Sequence, residues 1–480
     1  MNRLSRLCAA TVLALALSPV SLPGFAQAAP AVMAAQPLGV WKGELKLPGR
    51  SLSMEFTFQP AADGTWSGTF FVPGQTNAPL SFSKVTVEAG HLVAEAAMAH
   101  ATYEAQLSPD GKTLIGQWKQ NGAVLDLTMA HQESQTVLRR PQDPVPPFPY
   151  TQEEVSYVNP QGPVQLAGTL TMPRTQGPHP AVLLITGSGA QDRDETILGH
   201  RPFRLIADDL TRRGFAVLRV DDRGVGGSTG SVIQSTTADF ALDVKAGLRF
   251  LQSRPEIDRR HIGLVGHSEG GLIAPMVAAG NPDVAFVVLL AGPGMRGDAT
   301  IQAQSEAIAR KSGASEAQLK SSQDVQRQLL AIAAGPTPRE QAIPRMRALL
   351  ATQVPNDGSP DSQAKWKQLD AQLEAMLTPW YRYFLTCDPL PYLRKVTCPV
   401  LALNGENDTQ VLYRLNLGPI ERALKEGGNR DVTVQSFPQL NHLFQTSQTG
   451  LLDEYATIEE TFAPVALKTM GDWLERHARR

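Results

Sequence analysis

The twenty residues 261–280, HIGLVGHSEGGLIAPMVAAG, restrict this chain more than any other stretch. A short apolar run at 262–265 leads at once into Gly266-His267-Ser268-Glu269-Gly270, and an apolar segment with helical spacing follows. That order is strand, sharp turn, helix. In a G-x-S-x-G elbow the serine stands at the tip of a strained turn, and the flanking glycines are needed because a side chain there would strike the strand or the helix. Small residues with this spacing also recur by chance as plain structural turns, so the weight comes from the buried strand before and the helix after. The pattern predicts Ser268 as a nucleophile, with the positive helix N-terminus facing charge that develops on a substrate oxygen.

A serine hydroxyl is a poor nucleophile at neutral pH and needs a base, which in turn needs an acid to fix its tautomer. Behind such an elbow the acid and then the histidine follow in chain order, each on a loop after a core strand. Asn404-Gly405-Glu406-Asn407-Asp408 follows the apolar run 400–403, and Pro438-Gln439-Leu440-Asn441-His442 follows 432–437. Beyond Ser268 the histidines are His442 and His477, and His477 lies in the charged end of the last helix, where a solvated place is expected. These spacings predict His442 as base and Asp408 as its orienting acid, with Glu406 as the competing carboxylate. His267 is expected to pack or hydrogen-bond beneath the turn. The oxyanion hole needs two backbone N–H groups, expected from Glu269 and from Ser188 in Thr186-Gly187-Ser188-Gly189. Just beyond, Asp192-Arg193-Asp194-Glu195 reads as an ion-pair network holding that loop, with substrate contact as the alternative.

Outside the site the chain divides by composition. Residues 1–28 carry Arg3 and Arg6, an apolar run at about 7–17 and Ala26-Gln27-Ala28, the pattern of a secretory signal cut after Ala28. Its apolar span is short for a membrane anchor. Without those two arginines, 42 basic residues face 46 acidic ones, a balance that gives no reason to invoke nucleic acid or an anionic membrane. Residues 36–135 are short alternating runs separated by Asp-Gly and Asn-Gly pairs, predicting a small all-β domain with a shape and no chemistry of its own. The proline-rich 139–150 reads as a stiff linker. From 151 to 480, apolar strands alternate with helical segments, as a mostly parallel sheet with helices on both faces requires. A strand-poor insertion at about 296–386 is expected to be a helical cap over the site, or else an appendage that never meets substrate. Its Trp380, Tyr381, Tyr383 and Phe384 could line an acyl pocket, but an aromatic cluster of this kind is more often core packing, and they are not counted as site residues. Cys387 and Cys398, eleven residues apart, could pair in an oxidising compartment, though spacing cannot bring their Cα atoms into range.

Several motifs fail. Gly224-Val225-Gly226-Gly227-Ser228-Thr229-Gly230 has Thr229 where a dinucleotide fingerprint needs glycine, and Asp221-Asp222 would repel a pyrophosphate. The sequence contains no HExxH, Walker or Cys/His zinc pattern, so no cofactor or metal is expected.

Ser268, Asp408 and His442, with TGSGAQDRDE (186–195), RVDDRGVGGS (219–228) and CPVLALNGENDTQV (398–411), resemble the α/β-hydrolase superfamily. More narrowly, they resemble secreted bacterial carboxylesterases whose hydrolase domain is of the serine aminopeptidase-like type, over about 149–480. The resemblance implies hydrolysis of short-to-medium acyl esters, a small-molecule partner and an acyl-enzyme. One departure is Thr186, where many relatives carry histidine. Two other readings stay open: a serine peptidase, which would need a carboxylate patch for a substrate's free amine, and a binding protein that keeps the fold without turnover.

Overall fold

The computed structural model describes residues 36–478 apart from 48–49, 62–63, 73–79, 121, 135–138, 352–353 and 355–356. The leader read over 1–28 lies outside them. Among the described residues nine antiparallel strands, from Gly39–Leu47 to Ala123–Gln132, form the first sheet. Arg50–Pro60 pairs on one side with Gly39–Leu47 and on the other with Trp66–Phe71, so the sheet closes on itself. Closure leaves no long free edge. Trp41, Phe56, Phe58, Phe70, Phe82, Tyr103 and Trp118 fill the interior.

The alternation at 80–87 predicts one strand there, but the chain forms Leu80–Ser81 and Lys84–Glu88, broken where Phe82 turns inward against Phe56, Phe58 and Phe70. The runs that stand out by alternation within this all-β stretch do not include His91–Ala96, Ala101–Leu107 or Ala123–Gln132, which are strands as well. In Ala101–Leu107 the inward positions are Ala101, Tyr103, Ala105 and Leu107, and alanines mark an apolar face too weakly for periodicity to register.

The second sheet has eight strands. Tyr150–Asn159 lies at one edge, antiparallel to Val164–Pro173, which is antiparallel to Ala216–Val220. Then His179–Ile185, Ile257–His267, Phe286–Leu290, Val400–Gly405 and Val432–Phe437 continue in parallel. One face is covered by the helices Thr237–Ser253, Gly270–Ala278 and Tyr413–Glu426, through side chains such as Leu248, Ile273 and Leu424. The other is covered by Pro202–Arg212 and Pro464–Ala478, through Phe203, Ile206, Met470 and Trp473. The helical spacing at the end of the sequence predicts a last helix from about 457 to 478, but it starts at Pro464, because proline with its fixed φ suits a first helical position. Strand order reverses beside His179–Ile185, so the loops leaving its carboxyl end and that of Ile257–His267 flank a crevice, the usual ligand position in such sheets.

Between Phe286–Leu290 and Val400–Gly405 the insertion forms the helices Gly297–Lys311, Glu316–Ala334, Arg339–Leu350, Pro360–Met376 and Pro379–Thr386, with a small core of its own around Leu330, Met346 and Leu373. The proline-rich 139–150 is fastened along the second sheet's layer. Arg140 donates to the carbonyls of Leu198, Ala456 and Ile458 at 2.8, 2.9 and 3.1 Å, and Gln142 holds the backbone at 461–462. Cys387 and Cys398 are both free thiols. Among the described residues no helix is long and apolar enough to cross a membrane.

Candidate active site

The elbow is built by close contact. At Gly266 a Cβ would lie 2.0 Å from the Gly270 carbonyl oxygen, and at Gly270 2.2 Å from that of Ile185. Only glycine fits at either place. Between them Ser268 adopts φ +53°, a conformation that side chains rarely hold, with its N–H donated to the Leu290 carbonyl at 2.9 Å. The helix Gly270–Ala278 starts two residues later.

His442 follows Val432–Phe437 and donates from Nδ1 to Asp408 Oδ2 at 2.8 Å. Asp408 Oδ1 accepts the N–H groups of Gln410 and Val411 at 2.7 and 2.9 Å, and the carboxylate is fully buried. Glu406 turns outward to the Ser436 hydroxyl, so of the two candidate carboxylates it is Asp408 that meets the histidine. Ser268 and His442 line one cavity of about 270 Å³. No hydrogen bond joins them among the described residues. His477 is not solvated, as its charged neighbours suggested. It stacks on Trp473 at 3.9 Å and donates to that residue's carbonyl, far along the last helix.

The loop after His179–Ile185 packs tightly on the elbow, and a Cβ at Gly187 would come within 3.2 Å of Ser268 Cβ. Gly187 N–H is taken by Glu195 Oε1 at 2.6 Å, whereas the N–H groups of Ser188 and Glu269 donate to no protein acceptor among the described residues. The charged run beyond the loop pairs at long range. Arg193 binds Asp221 and Glu154, and Asp194 binds Arg219. Glu195 departs from that pattern. It lines the cavity and faces His267 Nδ1 at 2.9 Å, while His267 Nε2 reaches the His442 carbonyl at 2.9 Å.

Two side chains do more here than spacing indicated. The Glu269 carboxylate, in a residue only 2% exposed, accepts from Thr237 Oγ1 at 2.6 Å and from Trp380 Nε1 at 2.9 Å. Burial raises its pKa, against the pull of the Thr237, Trp380 and Ser188 side chains. The elbow is thereby tied to the inserted helix Pro379–Thr386. Trp380 and Phe384 line the cavity with Thr300, Ile301 and Gln304 of Gly297–Lys311, while Tyr381 and Tyr383 pack against neighbouring helices. The insertion therefore forms a wall of the cavity.

Thr186 donates to Asp222 Oδ1 at 2.7 Å, and Asp222 Oδ2 accepts Gln191 N–H at 3.0 Å. Burial pushes the Asp222 carboxyl up from 3.8 to about 7, helped by Glu195 and Glu269 and opposed by these two bonds. Between those values the folded protein holds a proton that the unfolded chain has released, so this group's contribution to stability falls as pH rises from about 4 to 7. Asp222→Asn keeps both bonds, with its amide NH2 toward Thr186 and its oxygen toward Gln191, and removes the titration. Its thermal midpoint is expected to gain on the wild type between pH 5 and pH 8. Parallel curves over that range would show that Asp222 does not titrate there.

Comparison with known proteins adds the family. The model of the X-Pro dipeptidyl-peptidase (S15) family matches residues 161–417, more than half of the chain. The chain belongs to that family. With it comes membership of the α/β-hydrolase superfamily. The S15 match covers Ser268 and Asp408 and ends before His442. Esterase EstD of Thermotoga maritima is 27% identical over 282 residues, 58% of either chain. YtaP of Bacillus subtilis is 31% identical over 122 residues, 22% of this chain and 41% of that one. Both alignments span less than two thirds of the relative. Among solved structures, the Pyrococcus furiosus esterase Pf2001 is 16% identical, with 69% of this chain and 91% of that one covered at a TM-score of 0.43.

Proposed function

We propose that this protein is a serine hydrolase cleaving short-to-medium acyl esters of small molecules through an acyl-enzyme, without a cofactor. In this reading His442, holding its Nδ1 proton against Asp408, keeps Nε2 free to take the proton of Ser268 as Oγ attacks the ester carbonyl. The oxyanion is received by the N–H groups of Ser188 and Glu269. His442 then passes its proton to the departing alkoxide, and water repeats the sequence on the acyl-enzyme. Export through the leader read over 1–28 belongs to the same proposal and rests on the sequence alone.

The observation that carries the ester reading is the lining of the cavity. The family's description names a dipeptidyl-peptidase, and an enzyme releasing N-terminal dipeptides must hold the substrate's α-ammonium with a free carboxylate. Among the described residues Glu195 is the one carboxylate lining the cavity, and it is already engaged by His267 and Gly187. Apart from His267 and His442, the rest of the wall is uncharged, with Gln191, Gln304 and Gln410 among Ile197, Ile301, Trp380, Phe384, Val411 and Leu443. An ammonium buried there would lose its water and gain no counter-charge. A volume of about 270 Å³ suits a short or medium acyl group.

A fluorophosphonate probe together with a substrate panel tests this. Expected are labelling of the intact protein at Ser268 and a kcat/KM for p-nitrophenyl butyrate about 10²-fold or more above that for an Xaa-Pro p-nitroanilide. Preference for the anilide would make it a peptidase. A protein that takes no label and turns over neither substrate would be a binding module.

A further inference from the structure

We infer that His267 and Glu195 form a charged bracket that fixes His442 and the oxyanion loop relative to each other, making His267 a positioning residue for the reaction proposed above, on which this inference rests. The His442 carbonyl can only accept, so His267 Nε2, 2.9 Å away, carries a proton. His267 Nδ1 lies 2.9 Å from Glu195 Oε1, an oxygen that also accepts the Gly187 N–H at 2.6 Å. An imidazole donating from both nitrogens is an imidazolium, and the carboxylate is its counter-charge. The two side chains are 8% and 4% exposed, and ions so buried persist only when paired and hydrogen-bonded.

Burial works against the His267 cation, but Glu195, the His442 carbonyl and the charge of Asp408 outweigh it, and its pKa is raised. Three hydrogen bonds therefore run from Gly187 through Glu195 and His267 to the backbone of His442. They join the loop after His179–Ile185, the elbow and the loop after Val432–Phe437. The rings of His267 and His442 are 4.8 Å apart, so a positive charge sits directly behind the proposed base. Asp408 and Tyr455 also face this group around His442, and Asp222 stands near Glu195 behind the oxyanion loop. None of these is altered in the variants below.

Charge separates a bracket from mere packing. The pH dependence of kcat/KM for p-nitrophenyl butyrate is measured on the full chain for His267→Gln, His267→Lys and the double variant His267→Gln/Glu195→Gln. Losing the cation while Glu195 stays charged is expected to move the acid limb up by on the order of one pH unit. His267→Lys, which keeps the charge, and the double variant, which removes both charges, are expected to hold the limb near the wild-type position. In His267→Gln kcat is expected to fall about 10- to 100-fold with KM little changed, since geometry and not substrate contact is lost. An acid limb that stays in place in His267→Gln, or a double variant that stays with the single one, would overturn the bracket. Should His267→Gln fail to fold, Glu195→Gln carries the test, and an unchanged kcat there is the overturning result. Failure of the ester reading itself shows separately in the wild type, as absence of fluorophosphonate labelling or as preference for the Xaa-Pro p-nitroanilide over p-nitrophenyl butyrate.

Discussion

Ser268→Ala is expected to lower kcat on p-nitrophenyl acetate by about 10³-fold or more while leaving the fold and the thermal midpoint almost unchanged. Removing one hydroxyl from the tip of the elbow takes away the atom proposed above to bond to the acyl carbon. The φ of +53° is held by the Ser268 N–H bond to Leu290 and by the glycines on either side, none of which needs the side chain. What remains should be the slow hydrolysis promoted by the oxyanion donors and by binding alone. Steady-state kinetics with active-site titration of the wild type, and a melting curve for each protein, make the measurement. Turnover near the wild-type rate would remove Ser268 as nucleophile.

Asp408→Asn is expected to cost about 10³- to 10⁴-fold in kcat with KM nearly unchanged, and the reason lies in the backbone around it. One carboxylate oxygen of Asp408 accepts two N–H groups, from Gln410 and Val411, and the other accepts His442 Nδ1–H. An asparagine in the same place must turn its oxygen toward the two backbone donors, because its NH2 cannot accept from them. The NH2 then faces His442 Nδ1. That nitrogen can meet it only by giving up its proton, which moves to Nε2, so the ring presents a donor where Ser268 needs an acceptor. The variant should stay folded and keep its affinity for a non-hydrolysable ester analogue. Wild-type kcat would mean that His442 takes its tautomer from elsewhere, with the His267 bracket the first place to look.

The local grammar of the chain was largely legible. The strands Ala216–Val220 and Val432–Phe437 fall where the apolar runs end, and the elbow is a strand, a turn and a helix because two glycines and a buried run allow nothing else. Asp408 and His442 were legible because each follows a strand at the sheet's carboxyl edge, and sheet topology brings such loops together without any special residue. Alanine-faced strands of the barrel were not legible, since their inward positions carry too little apolar contrast. Nor was the last helix's first turn, where Pro464 decides the start.

The partners of His267 were out of reach for a different reason. Glu195 lies 72 residues before it and the carbonyl of His442 175 residues after it, and no periodicity connects positions that distant. The same holds for Glu269, read as a backbone donor beside the nucleophile, whose side chain turns out to grip Trp380 111 residues away. A sequence fixes what a short segment can do alone, because backbone sterics and the period of apolar side chains act over a few residues. Here that was enough to single out Ser268, Asp408 and His442, whose side chains the fold gathers at one end of the sheet. Which charges face each other, which wall the insertion lends to the cavity and which ring stands behind His442 depend on how the strands and helices are stacked. Electrostatics and close contact act through space, so the tertiary structure alone decided those.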